Sequence, residues 1–143
     1  MNANQSVKPQ SSITGNMMSY TWRDEKNGRC FFQIATRREM PLKEMIQRTV
    51  VKQDLQKMNA TWYIINCDAS ETGISYFKEK TPIRIWGHFN ATEKPEGIAY
   101  DFVVEKAEEA EAEILSMIEY LVTFPGISYA DAETILNNHG TDV

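Results

Sequence analysis

Apolar and polar residues alternate in two stretches that flank the dipeptide Asn27-Gly28. Between Tyr20 and Thr36 this alternation predicts two strands, and Asn-Gly supplies the positive φ angles of a type I′ hairpin turn. Further runs are short and rich in β-branched or aromatic residues, which favours strands. They are Thr61–Cys67, Gly73–Phe77, Pro82–Phe89 and Ile98–Val104. These patterns predict an antiparallel sheet of about five to six strands.

Spacings of three and four residues replace the alternation in the remaining segments. A first helix is predicted from Pro41 toward Asn59, with an apolar face made of Leu42, Met45, Ile46, Val50, Leu55 and Met58. A second is predicted from Ala107 to Leu121, and a short third from Tyr129 to Asn137. The predicted fold class is α+β, with the sheet packed against two main helices and a short C-terminal helical hairpin.

The composition is typical of one globular domain, with 143 residues of which 42% are hydrophobic and 24% are charged. Residues 1–17 have almost no large apolar side chain, so we expect a flexible arm before a single domain, 18–143. Cys30 and Cys67 lie in apolar runs, which predicts two buried thiols. A signal peptide and a bilayer-spanning run of about 18 apolar residues are both missing, which predicts a cytoplasmic protein without a membrane partner.

Charge is divided unevenly along the chain. Residues 105–143 carry a net charge of −8, and the whole chain carries −5, so the remainder carries +3. One hypothesis is a stacking surface for bases, in which the aromatics Tyr20, Trp22, Tyr76 and Trp86 lie beside Arg37, Arg38, Lys78, Lys80 and Arg84. The basic face of the first helix, with Lys52, would border it. The other hypothesis is that the acidic second helix, with Glu109 and Glu113, docks onto a basic nucleic-acid-binding protein.

The segment Leu121–Leu136 resembles the helix-hairpin-helix motif of DNA repair and recombination proteins, through Phe124-Pro125-Gly126-Ile127-Ser128, Ala132 and Ile135. The resemblance implies that backbone N–H groups of Gly126, Ile127 and Ser128 bind a DNA phosphate. Tyr129, Ala130 and Asp131 stand where that family has basic residues, which predicts weak affinity.

Two alternatives apply to the same segment. Phe124-Pro125 and Gly140–Val143 also resemble a ubiquitin-binding CUE module, without its third helix. A tight helical corner that only packs on the sheet is the other alternative.

Residues 62–120 resemble small phage-encoded anti-CRISPR inhibitors of Cas9. The resemblance rests on Trp62-Tyr63-Ile64, Tyr76-Phe77 and Ile83–His88, followed by a strand and a glutamate-rich helix. It implies a protein of a phage or mobile element that binds a nuclease complex.

Candidate catalytic residues cluster after the third predicted strand. Asp68 and Glu71 lie in the strand-end loop, and His88 falls on a neighbouring strand, so a Cys67, His88, Asp68 trio or loop carboxylates could serve a cofactor-free enzyme. His88 and His139 are too far apart in sequence to predict a metal site, and no motif predicts a cofactor. Our preferred interpretation is a non-enzymatic binding protein for nucleic acid or a nucleic-acid-handling protein, with homo-oligomerisation left open.

Overall fold

The computed structural model describes residues 11–52 and 60–139 of the chain. In that part the strands are β1 (Ser11–Asp24), β2 (Arg29–Thr36), β3 (Arg48–Lys52), β4 (Ala60–Ala69), β5 (Pro82–Lys94) and β6 (Gly97–Glu109). The helices are α1 (Ala112–Leu121) and α2 (Tyr129–His139), and a 3-10 turn spans Lys43–Met45.

Five of these strands close into a barrel. β1 pairs with β2 and β5, β2 with β4, and β5 with β6, all antiparallel. The ring closes where β4 runs parallel to β6, through the pairs Cys67↔Phe102 and Asp68↔Val103. A five-stranded barrel with this order of strands is OB-fold-like. The predicted α+β arrangement, a sheet packed against two main helices, is therefore wrong, because the sheet packs against itself.

The interior of the barrel is filled by inward-facing side chains, which alternate with outward-facing ones along each strand. In β2, Cys30, Phe32 and Ile34 are buried while Arg29 and Phe31 are exposed, as a half-buried strand requires. The other strands contribute Ile13, Met17, Ile65, Cys67, Ile83, Ile85, Phe102 and Val104. Cys30 and Cys67 are free and buried, which confirms the prediction made for them.

The predicted hairpin between β1 and β2 is present, but its turn differs. The turn spans residues 25–28 and is closed by a 2.8 Å hydrogen bond from the Gly28 N–H to the Asp24 carbonyl. Gly28 has a φ of 72°, whereas Asn27 is not in the left-handed region, so the two-residue type I′ turn is wrong. Residues 11–17 were expected in the flexible arm, yet they belong to β1; residues 1–10 lie outside the described part.

The predicted first helix is wrong in the part of it that is described. Its residues form the 3-10 turn and β3, whose Val50 pairs with Trp62 of β4. Thr49, Val50 and Val51 are β-branched, and the first half of β4 offers an edge that β6 does not reach, so strand pairing overrides the helical spacing. Residues 53–59 are outside the described part. The predicted strand Gly73–Phe77 is a loop.

The two helices form a small unit outside the barrel, around Ile114, Ile118, Ala132 and Leu136. Both were predicted, but α1 begins at Ala112 instead of Ala107 because β6 continues to Glu109. Helix α2 contacts β1, where Asn137 Nδ2 donates a 2.7 Å hydrogen bond to Ser12 Oγ. Neither helix in residues 11–52 and 60–139 is long and apolar enough to cross a membrane.

Candidate nucleic-acid interface

Two aromatic side chains lie exposed on the outer surface of the β1–β2 hairpin. Trp22 and Phe31 are cross-strand partners, 47% and 41% exposed, with ring centroids 5.7 Å apart at 49°. Alternation places Phe31 outward, because Cys30 and Phe32 on either side of it point into the barrel, and Trp22 reaches the same surface through the register shift that follows Tyr20. Two exposed aromatic rings in contact form an apolar patch that a ligand can reach. We call Trp22 and Phe31 the aromatic pair.

A row of side-chain amides continues from the aromatic pair across the same outer surface. Gln33 is two residues after Phe31, and its Nε2 donates to Asn66 Oδ1 at 2.9 Å. Asn66 Nδ2 in turn donates to Gln47 Oε1 at 3.1 Å. We call Gln33, Asn66 and Gln47 the amide row. Each amide carries both donor and acceptor atoms, so the row presents polar groups that can pair with base edges.

Charged side chains surround this surface. Lys26 in the turn, Arg29 at the start of β2 and Arg48 at the start of β3 are exposed. Asp68 lies opposite Phe31 on β4, but its Oδ1 accepts hydrogen bonds from Ser70 N at 2.8 Å and Ser70 Oγ at 2.6 Å. The surface therefore carries cations at its margins, together with Asp68, whose hydrogen-bonding capacity is partly used, and the carboxylates Asp24 and Glu25 beside Lys26 in the hairpin turn.

A second aromatic group holds the loop between β4 and β5 onto the barrel. Tyr20 and Tyr76 stack with centroids 5.5 Å apart, and the Arg23 guanidinium lies 5.0 Å and 5.2 Å from the two rings. Tyr20 Oη accepts a 2.9 Å hydrogen bond from the Phe77 N–H, and burial raises the pKa of Tyr20. These contacts are mainly structural, because the Tyr20 ring also packs on the barrel core.

The predicted stacking surface is divided by the structure. Trp86 lies beside Ser12 on the neighbouring strand, ten residues along β1 from Trp22, which is roughly 30 Å at about 3.3 Å per residue. Arg84 and Lys106 lie 5.0 Å and 4.8 Å from the Trp86 ring. Arg84 also donates a 2.8 Å hydrogen bond to Asn137 of α2. Arg84 and Trp86 therefore belong to a separate cluster near the C-terminal helix.

The candidate catalytic residues are not assembled. Cys67 points into the core, and burial raises the pKa of its thiol well above the usual value. Asp68 and His88 are both partners of Val103, on opposite sides of β6, so two strand spacings of about 4.8 Å separate their backbones. His88 Nδ1 is instead 3.0 Å from Glu105 Oε2, and Glu71 is exposed.

Metal binding finds no support in the part of the chain that is described. Residues 11–52 and 60–139 contain no cluster of three or more His, Cys, Asp or Glu side chains that could hold a metal ion.

The turn between α1 and α2 uses part of the donor set that a phosphate would need. The Ile127 N–H bonds the Phe124 carbonyl at 3.2 Å, and the Ser128 N–H bonds Asp131 Oδ2 at 3.1 Å. Asp131 therefore caps its own helix.

Gly126 is exposed, and Glu109 and Glu113 are exposed near the start of α1. Lys52 lies in β3, and its side chain is outside the described part. The helix-hairpin-helix and anti-CRISPR resemblances stay predictions.

The basic and acidic halves of the sequence pair with each other in space. Arg37 Nη1 lies 2.8 Å from Glu119 Oε2 of α1, and Arg38 Nε lies 3.5 Å from Glu133 Oε2 of α2. These ion pairs attach the acidic helices to the basic part of the chain. They also partly neutralise the charge difference between the two parts of the sequence.

The aromatic pair and the amide row share a simple pattern that our sequence reasoning left unused. Residues of β2 alternate between inside and outside, so Phe31 and Gln33 had to face outward once Phe32 and Ile34 were placed in the core. Asn66 occupies the corresponding outward position between the buried Ile65 and Cys67. The opposing register of Gln33 and Asn66 brings them together.

No protein-family model and no curated protein sequence matches the chain. Solved structures that are similar to it include the following three. The N-terminal domain of PriB from Thermoanaerobacter tencongensis is 9% identical, with 71% of this chain and 96% of that one covered and a TM-score of 0.36. The small single-stranded DNA-binding protein of Streptomyces coelicolor is 15% identical, with 76% and 98% covered and a TM-score of 0.41. The mitochondrial single-stranded DNA-binding protein Rim1 of S. cerevisiae is 11% identical, with 74% and 98% covered and a TM-score of 0.34. Likeness at this level assigns no function to the chain.

Proposed function

We propose that this protein binds single-stranded nucleic acid on the outer surface of β1, β2 and β4. The observation that carries the proposal is the aromatic pair, Trp22 and Phe31, exposed side by side on two neighbouring barrel strands. Unpaired bases stack on exposed aromatic rings, and each such stack contributes about 1–3 kcal/mol. Duplex DNA offers no unstacked base faces, so this surface favours single strands.

The surroundings of the aromatic pair suit the same ligand. The amide row can hydrogen-bond base edges, and Lys26 and Arg29 at the margins can contact phosphates. The strand surface is also where barrels of this type bind oligonucleotides and oligosaccharides. The net charge of −5 opposes polyanion binding, and the two arginine–carboxylate pairs that lie away from this surface leave that net charge unchanged. We therefore expect modest affinity that decreases with salt.

Fluorescence anisotropy with a labelled oligothymidylate tests the proposal at low salt, with a duplex of equal length as the competing ligand. The expected result is saturable binding of the single strand and weaker binding of the duplex. The double variant Trp22→Ala, Phe31→Ala should bind the single strand more weakly, by about 1–3 kcal/mol for each base that no longer stacks on a ring. No binding of the single strand, or equal affinity of the double variant, would overturn the proposal.

The chain offers a matched control for loss of exposed aromatic surface. Tyr120 and Phe124 at the end of α1 are 63% and 45% exposed, with ring centroids 5.1 Å apart. The double variant Tyr120→Ala, Phe124→Ala removes a similar pair from the helical unit. It should bind the oligonucleotide as the unmodified protein does. If it lost the same affinity, stacking on Trp22 and Phe31 would not be the cause.

A further inference from the structure

A cavity of about 640 Å³ lies between β3, β4 and the segment that contains the 3-10 turn. This volume is within the range of about 300–1,000 Å³ that is typical of small-molecule sites. The lining residues come from three parts of the chain: Glu39, Met40 and Lys43, then Ile46 to Thr49, then Thr61 and Tyr63. None of the sequence patterns predicted a site here, because Lys43 and Ile46 to Thr49 were assigned to a helix and Thr61 and Tyr63 to a separate strand.

The walls of this cavity are tied together by backbone hydrogen bonds. The Gln47 N–H bonds the Ile64 carbonyl at 2.8 Å, and the Ile46 N–H bonds the Lys43 carbonyl at 3.0 Å. Met40 packs against the barrel core. Thr49 and Tyr63 are paired across β3 and β4. The cavity is therefore a formed part of the fold, beside the half of β4 that pairs with β3.

The lining of the cavity combines cations, hydroxyl groups and an aromatic ring. Lys43 and Arg48 are exposed cations that can contact a phosphate. The half-buried ring of Tyr63 offers a face to a base, and Thr49 and Thr61 add hydroxyl groups. Glu39 is the one carboxylate among the lining residues, and its Oε1 accepts a 3.0 Å hydrogen bond from the Ala130 N–H at the start of α2.

Gln47 connects this cavity to the proposed interface. Its side chain ends the amide row, and it also lines the cavity. We propose that the cavity holds a further nucleotide of the same single strand, with its phosphate on Lys43 and Arg48 and its base against Tyr63. The inference rests on the proposed function: the single strand would pass from Trp22 along the amide row and around the edge strand β3 at Gln47, because Tyr63 and Asn66 project from opposite faces of β4.

Oligonucleotide length separates the two parts of this surface. We would measure affinity for oligothymidylates from about 4 to about 16 nucleotides, the range of site sizes for one barrel of this type. The unmodified protein should gain affinity with length until the cavity is filled. In the double variant Lys43→Gln, Arg48→Gln, short oligonucleotides should bind as before, while long ones lose affinity. For long oligonucleotides the plot of log affinity against log salt has a negative slope, and its magnitude should decrease by about 0.7 for each lost phosphate contact.

A matched pair of cations elsewhere controls for general electrostatics. Lys78 and Lys106 are exposed and lie outside the cavity lining, so Lys78→Gln, Lys106→Gln should leave the length dependence unchanged. Equal loss in both double variants, or equal loss for short and long oligonucleotides in the first, would overturn the cavity as a subsite. If the unmodified protein bound no oligonucleotide of any length, the proposed function itself would fail.

Discussion

Glu133 of α2 lies 3.5 Å from the guanidinium Nε of Arg38, and its side chain is only 1% exposed. Burial raises the pKa of Glu133 to about 7, because the loss of hydration outweighs the attraction of Arg38 and Arg84. Burial also lowers the pKa of Arg38. The pair that attaches α2 to the barrel is therefore held at a cost when both groups are charged.

The stability of the protein should decrease as pH rises through about 7 because of Glu133. A carboxyl group with a raised folded-state pKa stabilises the fold below its ordinary pKa, and this contribution is lost as the pH passes the folded-state value. Glu133→Gln imitates the protonated form. From about pH 5 to about pH 8 the variant should gain on the order of 2 kcal/mol relative to the unmodified protein.

Urea denaturation at the two pH values measures this difference. Glu119→Gln is the matched control, because it removes a carboxylate from a partly exposed ion pair with Arg37. It should keep the pH dependence of the unmodified protein. Parallel pH profiles for Glu133→Gln and the unmodified protein would contradict the prediction.

Stacking at position 22 should depend on an aromatic ring and not on bulk. Trp22→Phe keeps a ring beside Phe31, whereas Trp22→Leu keeps only apolar volume. We expect Trp22→Leu to lose about 1–3 kcal/mol of oligonucleotide affinity and Trp22→Phe to lose clearly less. Anisotropy titrations measure both, and denaturation midpoints check that both variants fold. Equal affinities for the two variants would show that stacking is not involved.

A negative charge in the amide row should repel the ligand. Asn66→Asp keeps an acceptor for Gln33 but loses the donor to Gln47. We expect oligonucleotide affinity to fall several-fold at low salt, and the loss to shrink as salt screens the new charge. The change in stability should stay within about 1 kcal/mol, because the site is on the surface.

Asn90→Asp controls for the change in net charge. Asn90 is on β5, and its side chain bonds Thr92 on the same strand. This variant should lose less affinity than Asn66→Asp at every salt concentration. The reverse order would place the ligand on another surface.

Gly87 should tolerate no side chain. It is buried where the register between β5 and β6 shifts, and an added Cβ would overlap the carbonyl oxygen of Val103. We expect Gly87→Ala to destabilise the fold by about 1–3 kcal/mol or more, as overpacked cores do. Ala91→Ser, at an exposed position on the same strand, should have little effect. The midpoints of urea denaturation measure both effects. An unchanged midpoint for Gly87→Ala would contradict the overlap with the Val103 carbonyl oxygen.

Local patterns of the sequence predicted the elements whose structure depends on near neighbours. The β1–β2 hairpin and the helices near Ile114 and Ile135 were predicted because alternation, helical spacing and a glycine turn are properties of adjacent residues. The segment 41–52 was wrongly predicted because its helical spacing competes with an edge of β4 that only the folded barrel provides. Barrel closure could not be predicted, since the parallel contact of Cys67 with Phe102 joins residues far apart in the chain.

The sequence predicted the type of chemistry at the candidate site but not which residues lie together there. Aromatic stacking with adjacent cations was expected, and Trp22 was among the residues named for it. The pairing of Trp22 with Phe31 follows from strand register, and the amide row requires three strands to be neighbours. Such groupings are set by tertiary contacts that periodicity does not encode.

The two rungs between β4 and β6 have a consequence for how the chain folds. Until residues 97–109 have been synthesised, β4 lacks its parallel neighbour, and the apolar sides of Ile65 and Cys67 stay uncovered. Contacts of such long sequence separation form late, after the entropy of closing the intervening loop has been overcome. The nascent chain therefore depends on its last strand to acquire a protected interior, and it is most vulnerable to aggregation just before that strand arrives.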